Sequence, residues 1–351
     1  MRSKATLSAC ALFALALTLA LGERAFAAQG SLHELLLASS KKDHTLAIVD
    51  TASDRVVAKM PVGPDPHEVI ASDDGKTAYV SNMGNSSLHR IDVLDLTQRK
   101  ALDPIDTGAL TGVHGLVFFG GKLWFTAQGA MALARLDPAT RQVEWIMGTG
   151  QSWTHMLVLA PNGERIYATN VLAGTVSIFE LQPAPLPPLA QRPSAEFHPP
   201  PIWVHTVVPT ERGCEGVDLS PDGHELWTAS SASGSIYVID TVAKKVAQAL
   251  DAKIVGANRV KFTHDGRRVL ISSLRTGDLL IYDATARTEV KRIRLGTGCT
   301  GILIAPDDQR AYVACSSDNY VVALDLKRLE SLAHIDVGPQ PDGLAWAPSG
   351  L

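Results

Sequence analysis

Residues 66–82 read PHEVIASDDGKTAYVSN: an apolar run over Glu68–Ser72, a polar turn at Asp73-Asp74-Gly75-Lys76, and a second apolar run over Thr77–Ser81. Two such runs joined by Asp and Gly make a β-hairpin. Working outward, variants recur as HGLVFFGGKLWFTAQ from His114, HMLVLAPNGERIYATN from His155, EGVDLSPDGHELWTAS from Glu215, NRVKFTHDGRRVLISS from Asn258 and TGILIAPDDQRAYVACS from Thr300. A shortened copy, DGLAWAPSGL, begins at Asp342. Successive copies are offset by 47, 41, 60, 43, 42 and 42 residues. A period of about 40–45 residues is that of a four-stranded propeller blade.

Each copy continues into a third strand that closes on an acidic residue. Asn82 to Asp92, Asn170 to Glu180, Ser230 to Asp240, Ser273 to Asp283 and Cys315 to Asp325 are each ten residues apart. A turn and a fourth strand follow, as in Asp240–Lys245 before Val246–Leu250. At the N-terminal end Leu35–Ser40, Leu46–Asp50 and Val56–Met60 match strands two to four, and Leu344–Pro348 supplies the missing first strand. The expected fold is therefore all-β: a seven-bladed propeller over residues 29–351, closed by pairing the two chain ends in one blade, with no open sheet edge at the seam.

Residues 1–28 stand apart. Arg2 and Lys4 precede an apolar core at Ala11–Leu21, and Ala25-Phe26-Ala27 forms a small-x-small cleavage signal, so a signal peptide ending near Ala27 or Ala28 is expected. That places the mature chain in the periplasm or outside the cell, without a membrane span. Losing Arg2, Lys4, Arg24 and Glu23 takes the formal charge from −4 to about −6. An acidic chain without a basic run argues against nucleic acid as a partner. Three cysteines then remain, Cys214, Cys299 and Cys315; a Cys299–Cys315 bridge across a hairpin is one option, with Cys214 as the spare thiol.

Tyr79-Val80-Ser81-Asn82, Tyr167-Ala168-Thr169-Asn170 and the Asp-x-x-Thr turns resemble the YVTN repeat of secreted bacterial β-propellers. The resemblance covers nearly the whole mature chain. It implies the propeller fold and, by architecture, kinship with lactonase-like, streptogramin-lyase-like and haem d1-binding propellers. It does not imply one activity. No CxxCH motif is present, so covalent c-type haem is not expected.

In this fold the start of strand one and the end of strand two meet at the same mouth of the central channel. The ring there reads His67, His114, His155, Glu215, Asn258, Thr300 and Asp342, with Asn82, Gln128, Asn170, Ser230, Ser273 and Cys315 beside it. His67, His114, His155 and Glu215 have the residue types that bind a divalent transition metal. Read as structural, the same histidines simply line a wet channel. The leading expectation is a monomeric, exported binding module. It would hold a small ligand, a metal or a partner protein through His67, Asn82, His114, Gln128, His155, Asn170, Glu215, Asn258 and Asp342. A lyase or lactonase-type hydrolase using His114, His155 and Glu215 is the second reading. An interaction scaffold is the third, with the proline-rich insertion at 181–213 as its contact. That insertion, with Trp203, His205 and Cys214, is expected at the same mouth, as is Trp153. No G-x-S-x-G, HExxH or phosphate-binding glycine loop is present.

Overall fold

The computed structural model describes residues 34–348 apart from residue 195; the expected leader at 1–28 lies outside them. Among the described residues twenty-eight strands form seven antiparallel four-stranded sheets. Each sheet runs outward from an inner strand, and the seven inner strands contact one another in a closed ring. Blade 1 closes that ring. Its inner strand is Pro341–Ala347 and its second is Leu35–Ser40, paired from Leu35↔Ala347 to Ser40↔Pro341. Blades 2 to 7 follow in chain order, with inner strands Pro66–Ala71, Val113–Phe119, Thr154–Leu159, Cys214–Leu219, Ala257–Phe262 and Cys299–Ile304. Among the described residues no helix is long and apolar enough to cross a membrane.

The core is divided rather than central. Seven clusters of buried apolar side chains fill the seven interfaces between adjacent blades, as where Trp227 of blade 5 meets Phe262 and Tyr282 of blade 6. Middle strands are therefore covered on both faces, which is why Ile236–Ile239 and Leu279–Tyr282 read as unbroken apolar runs. Outer strands alternate between half-buried and exposed, as in Gln142–Gly148.

Two sequence expectations change here. In blade 2 the third strand is Arg90–Asp95, so it closes on Asp95 rather than Asp92. The turn before it, residues 83–89, is longer than in the other blades, which accounts for part of the 47-residue step. The insertion is also displaced. The third strand of blade 4 is Thr175–Gln182 and the fourth is Ile202–Pro209, paired throughout from Thr175↔Pro209 to Gln182↔Ile202. The proline-rich excursion thus joins strands three and four, at residues 183–201, and emerges on the face opposite the His-bearing mouth. Trp203 and His205 go with it into the outer strand. Trp203 packs 5.7 Å from Trp145, and His205 stacks 4.2 Å from Phe179.

Candidate functional site

In every blade the pairing of strands one and two skips a register at the ring position. Pro66 pairs with Asn82 and Val69 with Val80, so His67 and Glu68 together face Ser81. The same shift occurs at His114-Gly115, His155-Met156, Glu215-Gly216, Asn258-Arg259, Thr300-Gly301 and Asp342-Gly343. A β-bulge re-aims a side chain, and here seven bulges aim seven residues into one space. The second bulge residue sits against the next blade. A Cβ on Gly343 would lie 2.4 Å from the His67 carbonyl oxygen, and one on Gly115 2.8 Å from that of His155. The facing hydroxyl ties the blades together: Gly115 N donates to Thr126 Oγ1 (2.8 Å), which donates to the His155 carbonyl (2.6 Å). Ser39 to His67, Thr169 to Glu215 and Ser272 to Thr300 repeat the second link.

All seven ring residues line one cavity of about 660 Å³ at the channel mouth. Lys41, Arg212 and Arg259 also line it, and Met83, Trp153, Leu172 and Leu274 contribute an apolar rim. The other expected residues behave differently. Asn170 is buried and held by Thr154, Thr175 and Ser177. Asn82 donates to the Pro64 carbonyl and leaves its own Oδ1 unpartnered. Ser230 and Ser273 bond to the Arg212 and Val255 carbonyls. Gln128 stands behind the ring, accepting at Oε1 from His155 Nδ1 (3.0 Å) and donating to Ser86 Oγ (2.7 Å). Cys299 and Cys315 form a disulfide, and Cys214 is a buried free thiol pushed up by desolvation.

The three histidines divide by environment. Burial opposes protonation of His67, but Asp342 (3.2 Å) and Asp65 (3.1 Å) outweigh it and raise its pKa. Asp65 is in turn held at about 2 by its hydrogen bond to His67. Asp342 is buried, which disfavours its charge, yet Lys41 (3.0 Å) and His67 keep it well below the usual carboxylate range. His114 and His155 have no such partner; burial first, and the neighbouring positive groups second, keep both neutral. With Nδ1 donating to Gln128, neutral His155 leaves Nε2 as an unengaged acceptor. His114 Nδ1 is buried without a partner. The rings are tilted against one another, by 52° with centroids 4.9 Å apart for His67–His114 and by 33° with centroids 3.8 Å apart for His114–His155. Among the described residues no three His, Cys, Asp or Glu side chains converge as a metal site.

Sequence reasoning missed Glu68 and Arg259. Their side chains are 11% and 7% exposed and form a buried ion pair across the channel, from blade 2 to blade 6. Arg259 also donates to Asn258 Oδ1 (3.0 Å) and leaves Nε unpartnered. A signal was present. The residue after the ring position is Gly in four copies, so an acidic and a basic residue there stand out. Glu215, held by Asn258 Nδ2 at 2.7 Å, is raised by burial.

The family described as Cytochrome D1 heme domain matches residues 212–307, a little over a quarter of the chain. No curated protein sequence matches. Similar solved structures include a putative 6-phosphogluconolactonase from Bacteroides uniformis (TM-score 0.71, 15% identity, 90% of this chain and 100% of that one). A putative 6-phosphogluconolactonase from Bacteroides fragilis follows (0.67, 12%, 91% and 99%). Kuenenia stuttgartiensis hydrazine synthase is also similar (0.67, 16%, 81% and 90%). At these identities the structural likeness is one of fold. The repeat and the seven blades make the chain a seven-bladed β-propeller that is similar in fold to the lactonase-like structures and, over residues 212–307, similar in sequence to the haem d1 domain family.

Proposed function

We propose that the channel mouth binds a small organic anion carrying an apolar body. The carrying observation is the charge of the lining: Lys41, Arg212, Arg259 and His67 face the cavity against Asp342 and a Glu215 whose pKa is raised by burial, and while Arg259 is paired with Glu68, and Lys41 and His67 with Asp342, Arg212 is left over. This cationic patch belongs to a chain that is acidic overall. Arg212 has no ion-pair partner among the described residues, and Lys41 reaches the cavity from the turn after Ser40. Exposed Trp153, Leu172 and Leu274 at the rim give the ligand's body somewhere to rest. The disulfide in blade 7 supports an oxidising compartment, in keeping with the expected leader.

Calorimetric titration with benzoate, benzyl alcohol and benzylamine tests charge selection on a constant body. Benzoate is expected to bind and benzylamine not to, with K41M–R212M losing benzoate at least about tenfold, since each charged hydrogen bond carries about 1.5–3 kcal/mol. Equal affinity for the three would refute the reading.

A carboxylate-bearing tetrapyrrole is a second reading, favoured by the family match over residues 212–307. The donor set fits: neutral His114 and His155 offer imidazole nitrogen, a usual haem ligand, and Lys41 and Arg212 suit ring carboxylates. Haemin titration followed at the Soret band, in wild type and H155A, distinguishes a ligated macrocycle from simple anion binding.

A further inference from the structure

Two residues before each ring position the backbone is left-handed in all seven blades. Asp65, Gly112, Trp153, Gly213, Gly256, Gly298 and Gln340 have φ between 51° and 88°. The bulged connection requires this conformation, and glycine adopts it without strain. Four blades comply. In those four a side chain would also collide: a Cβ on Gly112, Gly213, Gly256 or Gly298 would lie 2.4–2.7 Å from Ser86, Ser231, Arg275 or Ser317, in the turn after strand two.

Blade 4 departs from this in the most costly way. A bulky residue at positive φ is strained, and such strain persists where the surroundings enforce it, often at functional sites. Trp153 is held there by its carbonyl, which accepts from Val171 N at 3.0 Å. Its indole does no packing work comparable to the other described tryptophans. Trp124, Trp145, Trp203, Trp227 and Trp346 all lie against another aromatic ring, whereas among the described residues the Trp153 indole has no ring partner and no hydrogen bond, and the residue is 37% exposed. It forms a wall between the main cavity and a neighbouring one of about 320 Å³, shared with Met83 and Leu172. Asp65, the acidic exception, has a visible task in holding His67. The Trp153 side chain has none among the described residues.

We infer that Trp153 is an aromatic platform at the mouth, selecting ligands whose anionic group is attached to a flat π-system. The inference rests on the anion-binding reading above and adds the shape of the body. An aromatic pair is favoured beyond its buried area, and the saturated ring of the same size gains nothing from that geometry.

The test is titration of wild type, W153F and W153G with 2-naphthoate and its saturated counterpart decahydronaphthalene-2-carboxylate, together with the Tm of each variant. Wild type should prefer 2-naphthoate by about tenfold. W153F should keep most of that preference, and W153G should lose it, the two carboxylates then binding with equal affinity. The Tm of W153G should match wild type, because glycine is native to this position in four blades. Three results overturn the platform alone: no preference in wild type, a preference retained in W153G, or a W153G Tm lowered by about ten degrees, which would mark a packing residue. Failure of both carboxylates to bind would overturn the anion reading and the platform with it.

Discussion

His67 and its two neighbours on the ring oppose one another in pH dependence. His67 has a raised pKa, so its contribution is complete below about pH 6.5 and is lost as pH rises through its folded value. His114 and His155 are depressed, so below about pH 6.5 the unfolded chain takes up protons that the fold refuses. Each such proton costs about 1.4 kcal/mol per pH unit. Two outweigh one, so stability measured by urea unfolding should fall from pH 7 to pH 5. H155Q should flatten that slope, and H67Q should remove the loss on the alkaline side. The Glu68–Arg259 pair makes a second residue-scale prediction. E68L or R259M alone strands a buried charge and should cost about 3–5 kcal/mol, whereas the double variant should recover most of it. The ring itself was legible because a repeat fixes which residues are equivalent. The charge network was not, since Lys41, Asp65 and Arg259 reach His67 and Asp342 from three separate places in the chain.

Blades are held to one another by small contacts at the bulge as well as by apolar burial. Thr126 accepts the Gly115 amide of its own blade and donates to His155 of the next. T126A would leave both buried groups unpaired and should lower stability by about 1–3 kcal/mol, with T126S close to wild type in guanidinium titration. Strand existence was readable from the alternation and the ten-residue spacing, but loop placement was not. A 60-residue step says that residues are added between His155 and Glu215; it does not say after which strand. Only the pairing of Thr175–Gln182 with Ile202–Pro209 puts them between strands three and four. Proline-rich sequence cannot enter a ladder and remains outside as a loop wherever it falls. Replacing residues 184–200 with a short Gly-Ser linker should therefore leave benzoate affinity at the opposite mouth unchanged, as read by calorimetry.

A closed ring has no free sheet edge at its seam, and that closure depends on seven residues at the C-terminal end pairing with Leu35–Ser40. Removing Pro341–Ala347 would take away a whole inner strand, together with Asp342 and the partner of His67. Its effect on unfolding should exceed that of any single substitution named above. The closure was plain in the sequence because both ends carry incomplete copies of one repeat. The chemistry of the mouth was less so, because the same seven positions serve a dry seam, a wet channel or a binding site depending on what surrounds them. Here the surroundings are cationic below and apolar at the rim. The most direct measurement is a crystal of the protein soaked in 4-iodobenzoate, with iodine located by anomalous scattering. One dominant iodine site at the mouth, beside Trp153 with the carboxylate turned towards Lys41 or Arg212, is the expected result. Iodine distributed over the outer clefts, with the mouth empty, would contradict anion binding there.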